Sequence, residues 1–270
     1  MASPASAALV FAMWWYAAFV LHPARLGRRA TACTDGIAWP LRGQGPRFSA
    51  GGARTIPLEK PSPNADLVRE FDRMADGYER YVVPFTAPVW DRVLAVLREH
   101  VAPDARVLDV GCGPGVELRH AARLVPAGEV VGIDLAGEML VVAAREAERR
   151  SIRNVAFVQA DVGSLPAELE GAFDVAYACF SHHHFPDPAA ACREVLRALV
   201  PGGVYCVIDV GREWLRRLAA PLARLGDPGW IGFATPDEIA ELLRAAGARQ
   251  VAVTPLLPGI DMVLAHTAAD

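Results

Sequence analysis

The segment VLDVGCGPG, residues 107–115, combines residue types and a spacing that could bind a polar ligand. An apolar run reaches Asp109 and passes into a turn with glycines at positions 111, 113 and 115. Glycine lets the backbone approach a ligand without a side-chain clash, and a helix that begins here would direct free N–H groups at the ligand's polar atoms. The segment therefore predicts a strand-to-helix turn that holds a small polar molecule.

A carboxylate, Asp134, ends the next apolar run and narrows the choice of ligand. It follows Gly115 by 19 residues, a position from which a carboxylate can accept both hydroxyls of a ribose. Dinucleotide cofactors share this feature, but their fingerprint places its third glycine three positions after the second. That position is Val116 here, so the spacing disfavours a pyrophosphate ligand and an NAD-dependent reductase.

Three histidines, His182, His183 and His184, follow the apolar run FDVAYACF at 173–180. They lie at the carboxyl end of a predicted strand, where open parallel sheets place their ligands. Three consecutive side chains cannot all project to one side, so the run alone is not expected to hold a metal ion. A histidine can act as a general base near neutral pH, which makes His182 and His183 candidate catalytic residues; loop histidines without a catalytic role are the alternative.

Helices and short apolar runs alternate from residue 64 onward, a pattern typical of a parallel sheet covered on both faces. Thr235, Pro236 and Glu238 predict a helix start with a capping box, and Gly247 predicts its end. The predicted strands are 105–110, 129–134, 155–160, 173–180, 203–210, 248–254 and 260–266, and the predicted helices lie near 114–125, 137–150, 188–199 and 236–246. Two further helices precede them, with apolar faces formed by Leu67, Phe71, Met74 and Tyr78, and, after the prolines at 84 and 88, by Val89, Trp90, Val93, Leu94 and Leu97.

Five motifs in this order resemble the class I S-adenosylmethionine-dependent methyltransferases. They are VLDVGCGPG, the acid in VVGIDLAGEML, the acid in VQADVGSLP, the strand end FDVAYACFSHHHF, and LVPGG before GVYCVI, and together they cover about 105–210. Upstream, FDRMADGYERY is similar to the N-terminal helix of the subgroup that contains ubiquinone and menaquinone C-methyltransferases. His182 departs from the family, which usually has an apolar residue before two histidines.

The resemblance implies an α/β fold with a Rossmann-like, doubly wound, seven-stranded sheet that is mostly parallel and has its last strand antiparallel. It also implies S-adenosyl-L-methionine as the cofactor, with the methionine portion at the glycine turn, the ribose at Asp134 and the adenine edge at Asp161. The residues that the resemblance places at the cofactor are Tyr78, Asp109, Gly111, Cys112, Gly113, Gly115, Asp134, Leu135, Met139, Asp161, Val162 and Cys179.

The implied activity is methyl transfer to oxygen or carbon of an apolar or aromatic small molecule. A methyltransferase-like cyclase, which binds the same cofactor without transferring its methyl group, stays open because no single side chain is obligatory for methyl transfer. An arsenic methyltransferase would need paired reactive cysteines, which the five widely spaced cysteines do not offer. Their spacing and odd number also predict neither a zinc site nor a disulfide scaffold, which favours a cytoplasmic enzyme.

Charge separates a basic leader from an acidic body. Residues 1–60 carry 7 Lys/Arg against 2 Asp/Glu, whereas the rest of the chain carries 20 against 29. An acidic body argues against nucleic acid as the ligand, since such contacts depend on neutralising phosphates. The sequence predicts a methyltransferase domain over 64–270, with N-terminal helices (64–104), a cofactor-binding core (105–210), a candidate substrate lid (211–234) and a C-terminal helix and strands (235–270), and it leaves the oligomeric state open.

The leader, residues 1–63, contains an uninterrupted apolar run at 7–21. Its 15 residues are fewer than the roughly 20 that span a bilayer, and no basic residue precedes it as in a secretory signal. Three interpretations follow: a dispensable or mis-assigned leader that is disordered, a membrane-associating anchor that leaves the domain in the cytoplasm, or an ordered part of the fold.

Overall fold

A mixed β-sheet with helices on both faces forms the framework of the chain. The computed structural model describes residues 55–56, 65–81, 83–210, 234–257 and 259–269, so the apolar run at 7–21 and most of the candidate lid at 211–234 lie outside the described residues. The elements are β1 (Thr55–Ile56), α1 (Ala65–Tyr81), α2 (Val83–His100), β2 (Arg106–Val110), α3 (Val116–Ala121), β3 (Glu129–Asp134), α4 (Gly137–Arg149), β4 (Val155–Gln159), β5 (Phe173–Cys179), α5 (Pro188–Ala198), β6 (Leu199–Val210), α6 (Pro236–Ala245), β7 (Gln250–Leu257) and β8 (Ile260–His266), with 3₁₀ turns at Ala167–Leu169 and His182–His184.

The strands of the described residues form one sheet in the order β1-β4-β3-β2-β5-β6-β8-β7. Neighbours from β1 to β6 are parallel, whereas β8 is antiparallel to both β6 and β7. The predicted seven-stranded, mostly parallel sheet with an antiparallel last strand is confirmed. In addition, the two-residue β1 pairs with the edge of β4 from within the leader, where two residues are too few to show a strand alternation.

Apolar side chains cover both faces of the central strands. Val107 and Leu108 are neighbours on β2, yet they belong to different apolar clusters, because successive strand residues point to opposite faces. Val93 of α2 joins the first cluster, and Val195 of α5 and Leu243 of α6 join the second. Burial on both faces explains why these strands read as continuous apolar runs instead of alternating patterns.

The element boundaries agree with the predicted ones to within a few residues, with two informative differences. The helix α2 begins at Val83, before the prolines at 84 and 88 that were predicted to precede it; Pro84 lies in the first turn, where a backbone N–H needs no intrahelical partner. The strand β6 begins at Leu199, four residues before the predicted start at 203. The capping box of Thr235 and Glu238 is present as predicted at the start of α6.

The direction of the chain reverses across the sheet at β2. From β2 the chain passes through β3 and β4 on one side, and β5 then returns to pair on the other side of β2. In open α/β sheets, ligands bind in the crevice outside the carboxyl ends of the strands at such a switch point. The glycine turn and the histidines follow β2 and β5, so the fold brings both predicted motifs to this crevice.

Candidate active site

An open cleft with about 760 Å³ of empty space, part of it continuous with solvent, lies where β4, β3, β2 and β5 end. The helix α1 contributes one side of its wall, and the rest comes from the end of β3, the start of α4 and the loops after the four strands. The wall residues are Leu67, Val68, Phe71, Tyr78, Gly111, Gly113, Ile133, Asp134, Leu135, Ala136, Met139, Ala160, Asp161, Val162, Phe180, Ser181, His184, Phe185 and Pro186.

Backbone hydrogen bonds hold the glycine turn after β2 against the end of β3. The N–H groups of Gly111 and Cys112 both donate to the carbonyl oxygen of Ile133, at 2.8 and 2.9 Å. A Cβ on Gly111, whose φ is +73°, would stand 2.5 Å from the Cβ of Ser181. Glycine is therefore required at 111, because both its left-handed backbone and the approach of Ser181 exclude a side chain.

Asp134 links this turn to the start of α4. Its Oδ2 accepts a hydrogen bond from the N–H of Gly113 (2.8 Å), and its Oδ1 accepts one from the N–H of Ala136 (2.9 Å). Burial raises the pKa of Asp134, and these backbone donors act in the opposite direction. Each carboxylate oxygen retains a second lone pair, so Asp134 can also accept hydrogen bonds from hydroxyl groups of a ligand in the cleft.

Asp109, the acid within the glycine motif, lies behind the cleft wall. It is 2% exposed, and its Oδ2 accepts a hydrogen bond from the Tyr177 hydroxyl at 2.8 Å. The two residues are register partners on β2 and β5. Burial raises the pKa of Asp109 well above its usual range; Glu117 adds to this shift and the Tyr177 hydrogen bond opposes it. The acid therefore joins the two central strands beneath the ligand-binding edge.

We expect the free energy of unfolding to depend on pH through Glu117, which lies in the first turn of α3. Burial raises the pKa of Glu117 from 4.5 to about 7, and Arg119 acts in the opposite direction. The folded chain thus binds this proton more tightly than the unfolded chain. Protonated Glu117 therefore makes its full contribution to the free energy of unfolding below pH 4.5, and this contribution is lost as the pH rises to about 7. We expect Glu117→Gln to be more stable than wild type at about pH 8, by at most about 3 kcal/mol, and similar to it near pH 4.5.

Urea unfolding of the wild type and Glu117→Gln at both pH values measures this effect. The comparison between the two chains at each pH removes the contribution of every other titrating group. A difference in unfolding free energy that is the same at both pH values would contradict the assignment.

Arg119 links α1 to the glycine turn through hydrogen bonds. Its buried guanidinium donates from Nη1 to the carbonyl oxygen of Pro114 (2.8 Å) and from Nη2 to Oε2 of Glu79 (2.9 Å). Glu79 also accepts a hydrogen bond from Nη2 of Arg150 at 2.9 Å. Glu79 directly follows Tyr78, so these contacts position the face of α1 that lines the cleft. Sequence reasoning missed Arg119, because nothing local distinguishes it from any other helical arginine.

The three histidines comprise two buried side chains and one in the cleft wall. His182 and His183 are 2% and 5% exposed and lie outside the cleft wall, whereas His184 lines it. Nδ1 of His183 lies 2.9 and 3.0 Å from the two carboxylate oxygens of Asp209. The ring centroid of His184 is 4.0 Å from that of His183 and 5.0 Å from that of Phe71, and the His184 and Phe71 rings are nearly perpendicular. Of the three histidines, His184 is therefore the one that a ligand in the cleft can contact.

His182 has a different environment from its two neighbours. Its Nε2 has no hydrogen-bond partner among the described residues, and its ring centroid is 5.4 Å from that of Phe185. Burial lowers the pKa of His182, although the charge of Asp209 acts in the opposite direction. This environment favours the neutral imidazole.

The cleft brings together eight of the twelve residues predicted to contact the cofactor, namely Tyr78, Gly111, Gly113, Asp134, Leu135, Met139, Asp161 and Val162. The other four, Asp109, Cys112, Gly115 and Cys179, lie outside the wall, so their direct contact with a ligand stays a prediction. Sequence reasoning missed the apolar wall made by Leu67, Val68 and Phe71 of α1 and by Phe180, Phe185 and Pro186 after β5. Only the helical spacing of Leu67 and Phe71 signalled part of it.

The four cysteines in the described part of the chain are free, and Cys112, Cys192 and Cys206 are buried. Among the described residues, no group of three or more His, Cys, Asp or Glu side chains is arranged to hold a metal ion. No helix in these same ranges is long and apolar enough to cross a bilayer.

The switch-point cleft, its glycine turn and Asp134 define a class of α/β proteins that bind nucleoside-containing ligands. A family profile described as a methyltransferase domain matches residues 107–203. Nocamycin O-methyltransferase of Saccharothrix syringae is 41% identical over 203 residues, which cover 67% of this chain and 71% of that protein. The chain belongs to the S-adenosylmethionine-dependent methyltransferases.

Two further comparisons extend this assignment. Ubiquinone biosynthesis O-methyltransferase of Xanthomonas campestris pv. campestris (strain B100) is 35% identical over 156 residues, which cover 53% of this chain and 62% of that protein, less than two thirds of its length. The crystal structure of the cyclase SpnF matches with a TM-score of 0.55 and 25% identity, over 67% of this chain and 82% of that chain. The fold, the enzyme class and the cofactor predicted from the sequence are confirmed.

The residues of the cleft fit S-adenosylmethionine. Nothing lies within 4 Å of the place where a Cβ on Gly113 would stand, so the backbone of the turn is open to a ligand. Asp134 offers acceptors for ribose hydroxyls, and Leu135 and Met139 offer apolar walls for an adenine ring. Oδ1 of Asp161 accepts a hydrogen bond from the N–H of Gly163 at 2.8 Å, which fixes this second carboxylate at the far end of the same wall.

Proposed function

We propose that this chain transfers a methyl group to an oxygen atom of an apolar or aromatic small molecule, such as a phenol or an enol. The observation that carries the proposal is the wall after β5, where Phe180, Phe185 and Pro186 line the cleft together with one histidine, His184. Such a wall suits an uncharged acceptor with one ionisable hydroxyl. The names of the two relatives, both O-methyltransferases, support oxygen as the accepting atom.

The chain's own residues orient the acceptor and take its proton. S-adenosylmethionine supplies, when bound, a methyl group on a sulfonium, which is a strong electrophile. Because β5 pairs with β2, the apolar wall after β5 lies next to the glycine turn, and an acceptor held there is close to the cofactor. In the proposal, a ring nitrogen of His184 accepts the hydroxyl proton, and His183, bound to Asp209, keeps the His184 ring in place. The apolar side chains of α1 exclude water.

Incubation of the full chain with methyl-labelled S-adenosylmethionine and a panel of phenols, enols and aliphatic alcohols tests the proposal. We expect label in an O-methylated product, with S-adenosylhomocysteine formed in equal amount. Tight binding of S-adenosylhomocysteine without label transfer to any acceptor would favour the second candidate, a methyltransferase-like cyclase. The likeness to the cyclase SpnF supports that candidate.

The proposal includes a cytoplasmic enzyme whose catalytic domain spans 64–270. The four free cysteines of the described residues are compatible with a reducing compartment. The acidic body supports a small-molecule partner over nucleic acid.

A further inference from the structure

Phe180, the first residue after β5, has an unusual backbone conformation. Its φ is +52°, in the left-handed region that is unfavourable for a large side chain. Among the described residues, seven glycines have positive φ, and only Ser151 and Phe180 adopt it with a side chain. Glycine would fit this backbone with less strain, so a phenylalanine here indicates that its ring has a use which outweighs the strain.

Hydrogen bonds on both sides hold this turn in place. The N–H of Phe180 donates to the carbonyl oxygen of Ile208 on β6 at 2.9 Å. The hydroxyl of the next residue, Ser181, donates to the carbonyl oxygen of Val110 on β2 at 2.7 Å. The turn is therefore tied to both neighbours of β5, and the surrounding structure can sustain a strained residue between these two bonds.

Phe180 lies at the end of the cleft that the residues after β5 form, which we call the acceptor end. It lines the cleft and is half-buried, with Phe185 and Pro186 from the same loop nearby in the wall. The strand order places β4 and β3, with Asp161 and Asp134, at the opposite end. A molecule that fills the end near Phe180 is therefore the acceptor and not the nucleoside part of the cofactor.

We propose that Phe180 is a substrate-positioning residue whose ring stacks against a planar aromatic acceptor, and that the strained turn after β5 serves to hold this ring in the cleft wall. The inference rests on the proposed function, which places a small-molecule acceptor beside the residues after β5. Aromatic rings attract each other in offset or edge-to-face arrangements, beyond the burial of their area. A ring on a rigid turn thus selects flat acceptors and orients their hydroxyl group.

Calorimetric titration of the full chain with 2-naphthol, a flat uncharged phenol, tests the inference in the presence of saturating S-adenosylhomocysteine. We expect Phe180→Leu to bind 2-naphthol about 3- to 10-fold more weakly than wild type, because it keeps an apolar side chain but loses the ring. Phe180→Tyr keeps the ring and should bind within about twofold of wild type. The saturated analogue, decahydro-2-naphthol, should bind equally to wild type and Phe180→Leu.

Two glycine variants separate backbone strain from the role of the ring. Ser151→Gly relieves the same kind of strain at φ +56°, at an exposed position after α4, and should raise the melting temperature without changing 2-naphthol binding. Phe180→Gly relieves the strain and removes the ring, so it should fold and bind S-adenosylhomocysteine yet bind 2-naphthol weakly.

Equal 2-naphthol affinity in wild type and Phe180→Leu would overturn the inference. So would the absence of 2-naphthol binding by a wild-type chain that binds S-adenosylhomocysteine, or a loss of S-adenosylhomocysteine affinity in Phe180→Leu that matches its loss for 2-naphthol. A wild-type chain that binds 2-naphthol and S-adenosylhomocysteine but labels no acceptor would instead refute the proposed methyl transfer and leave the stacking role intact.

Discussion

Asp134→Ala is expected to weaken the binding of S-adenosylhomocysteine by about 10- to 150-fold, which corresponds to roughly 1.5 to 3 kcal/mol. Two losses contribute to this effect. The ligand loses the carboxylate that accepts its ribose hydroxyls, and the N–H groups of Gly113 and Ala136 lose the acceptor that fixes the glycine turn against α4. Isothermal titration calorimetry of the full chain measures the affinity directly.

Two further variants show which of these losses dominates. Asp134→Asn keeps one amide oxygen, which can accept one of the two backbone hydrogen bonds, so its loss of affinity should be smaller than that of the alanine variant. Asp187→Ala is a matched control, because Asp187 accepts a backbone hydrogen bond from Ala190 at 2.8 Å, at the start of α5 and outside the cleft wall. This control should lose about 1 kcal/mol of unfolding free energy and bind the ligand normally.

The assignment of Asp134 to the ribose is tested only if the Asp134→Ala variant folds. Circular dichroism and the melting temperature show whether Asp134→Ala retains the fold. A folded Asp134→Ala chain that binds S-adenosylhomocysteine as tightly as wild type would rule the assignment out.

The cofactor end of the cleft is predictable from sequence because local patterns define it. The strand β3 runs from Glu129 to Asp134, as the apolar run EVVGID predicts, and its last residue reaches the cleft. The glycines at 111 and 113 also line the cleft, because a strand-to-helix turn necessarily follows a buried strand at the switch point. These features need only the alternation of elements and the residue types at their ends.

The acceptor end is less predictable because it depends on contacts between distant segments. The turn at Phe180 is held by its hydrogen bond to β6 and by the hydrogen bond of Ser181 to β2, and no local pattern marks a phenylalanine for a positive φ. The contact of Arg119 with Glu79 joins residues 40 positions apart. The start of β6 at Leu199 is also not predictable from local sequence, because LVPGG is typical of a turn.

The sequence also does not determine which residue of the histidine run reaches the cleft. The sequence indicates that three adjacent side chains must point in different directions, but the 3₁₀ turn at His182–His184 decides which of them reaches the cleft. His182 and His183 are the candidates that the sequence predicts; both lie buried outside the cleft wall, and variants of all three histidines test which of them is catalytic.

His184→Ala is expected to lower turnover by about 100-fold while leaving the affinity for S-adenosylhomocysteine unchanged. His184 is the histidine in the cleft wall, next to the apolar side chains that would surround the acceptor. Loss of a general base removes the step that makes a hydroxyl nucleophilic, whereas the cofactor end of the cleft stays intact. Initial rates of O-methyl product formation with saturating cofactor test the turnover, and calorimetric titration with S-adenosylhomocysteine tests the affinity.

Variants of the neighbouring residues distinguish a base from a side chain that positions it. His182→Phe should keep nearly wild-type turnover, because the ring it replaces is buried and its Nε2 has no partner among the described residues. Asp209→Asn should lower turnover less than His184→Ala, by about 10-fold, because Asp209 lies outside the cleft wall and positions His183. If His183→Ala abolishes turnover and His184→Ala does not, the base is His183, and the turn that buries it must open for the acceptor to reach its ring.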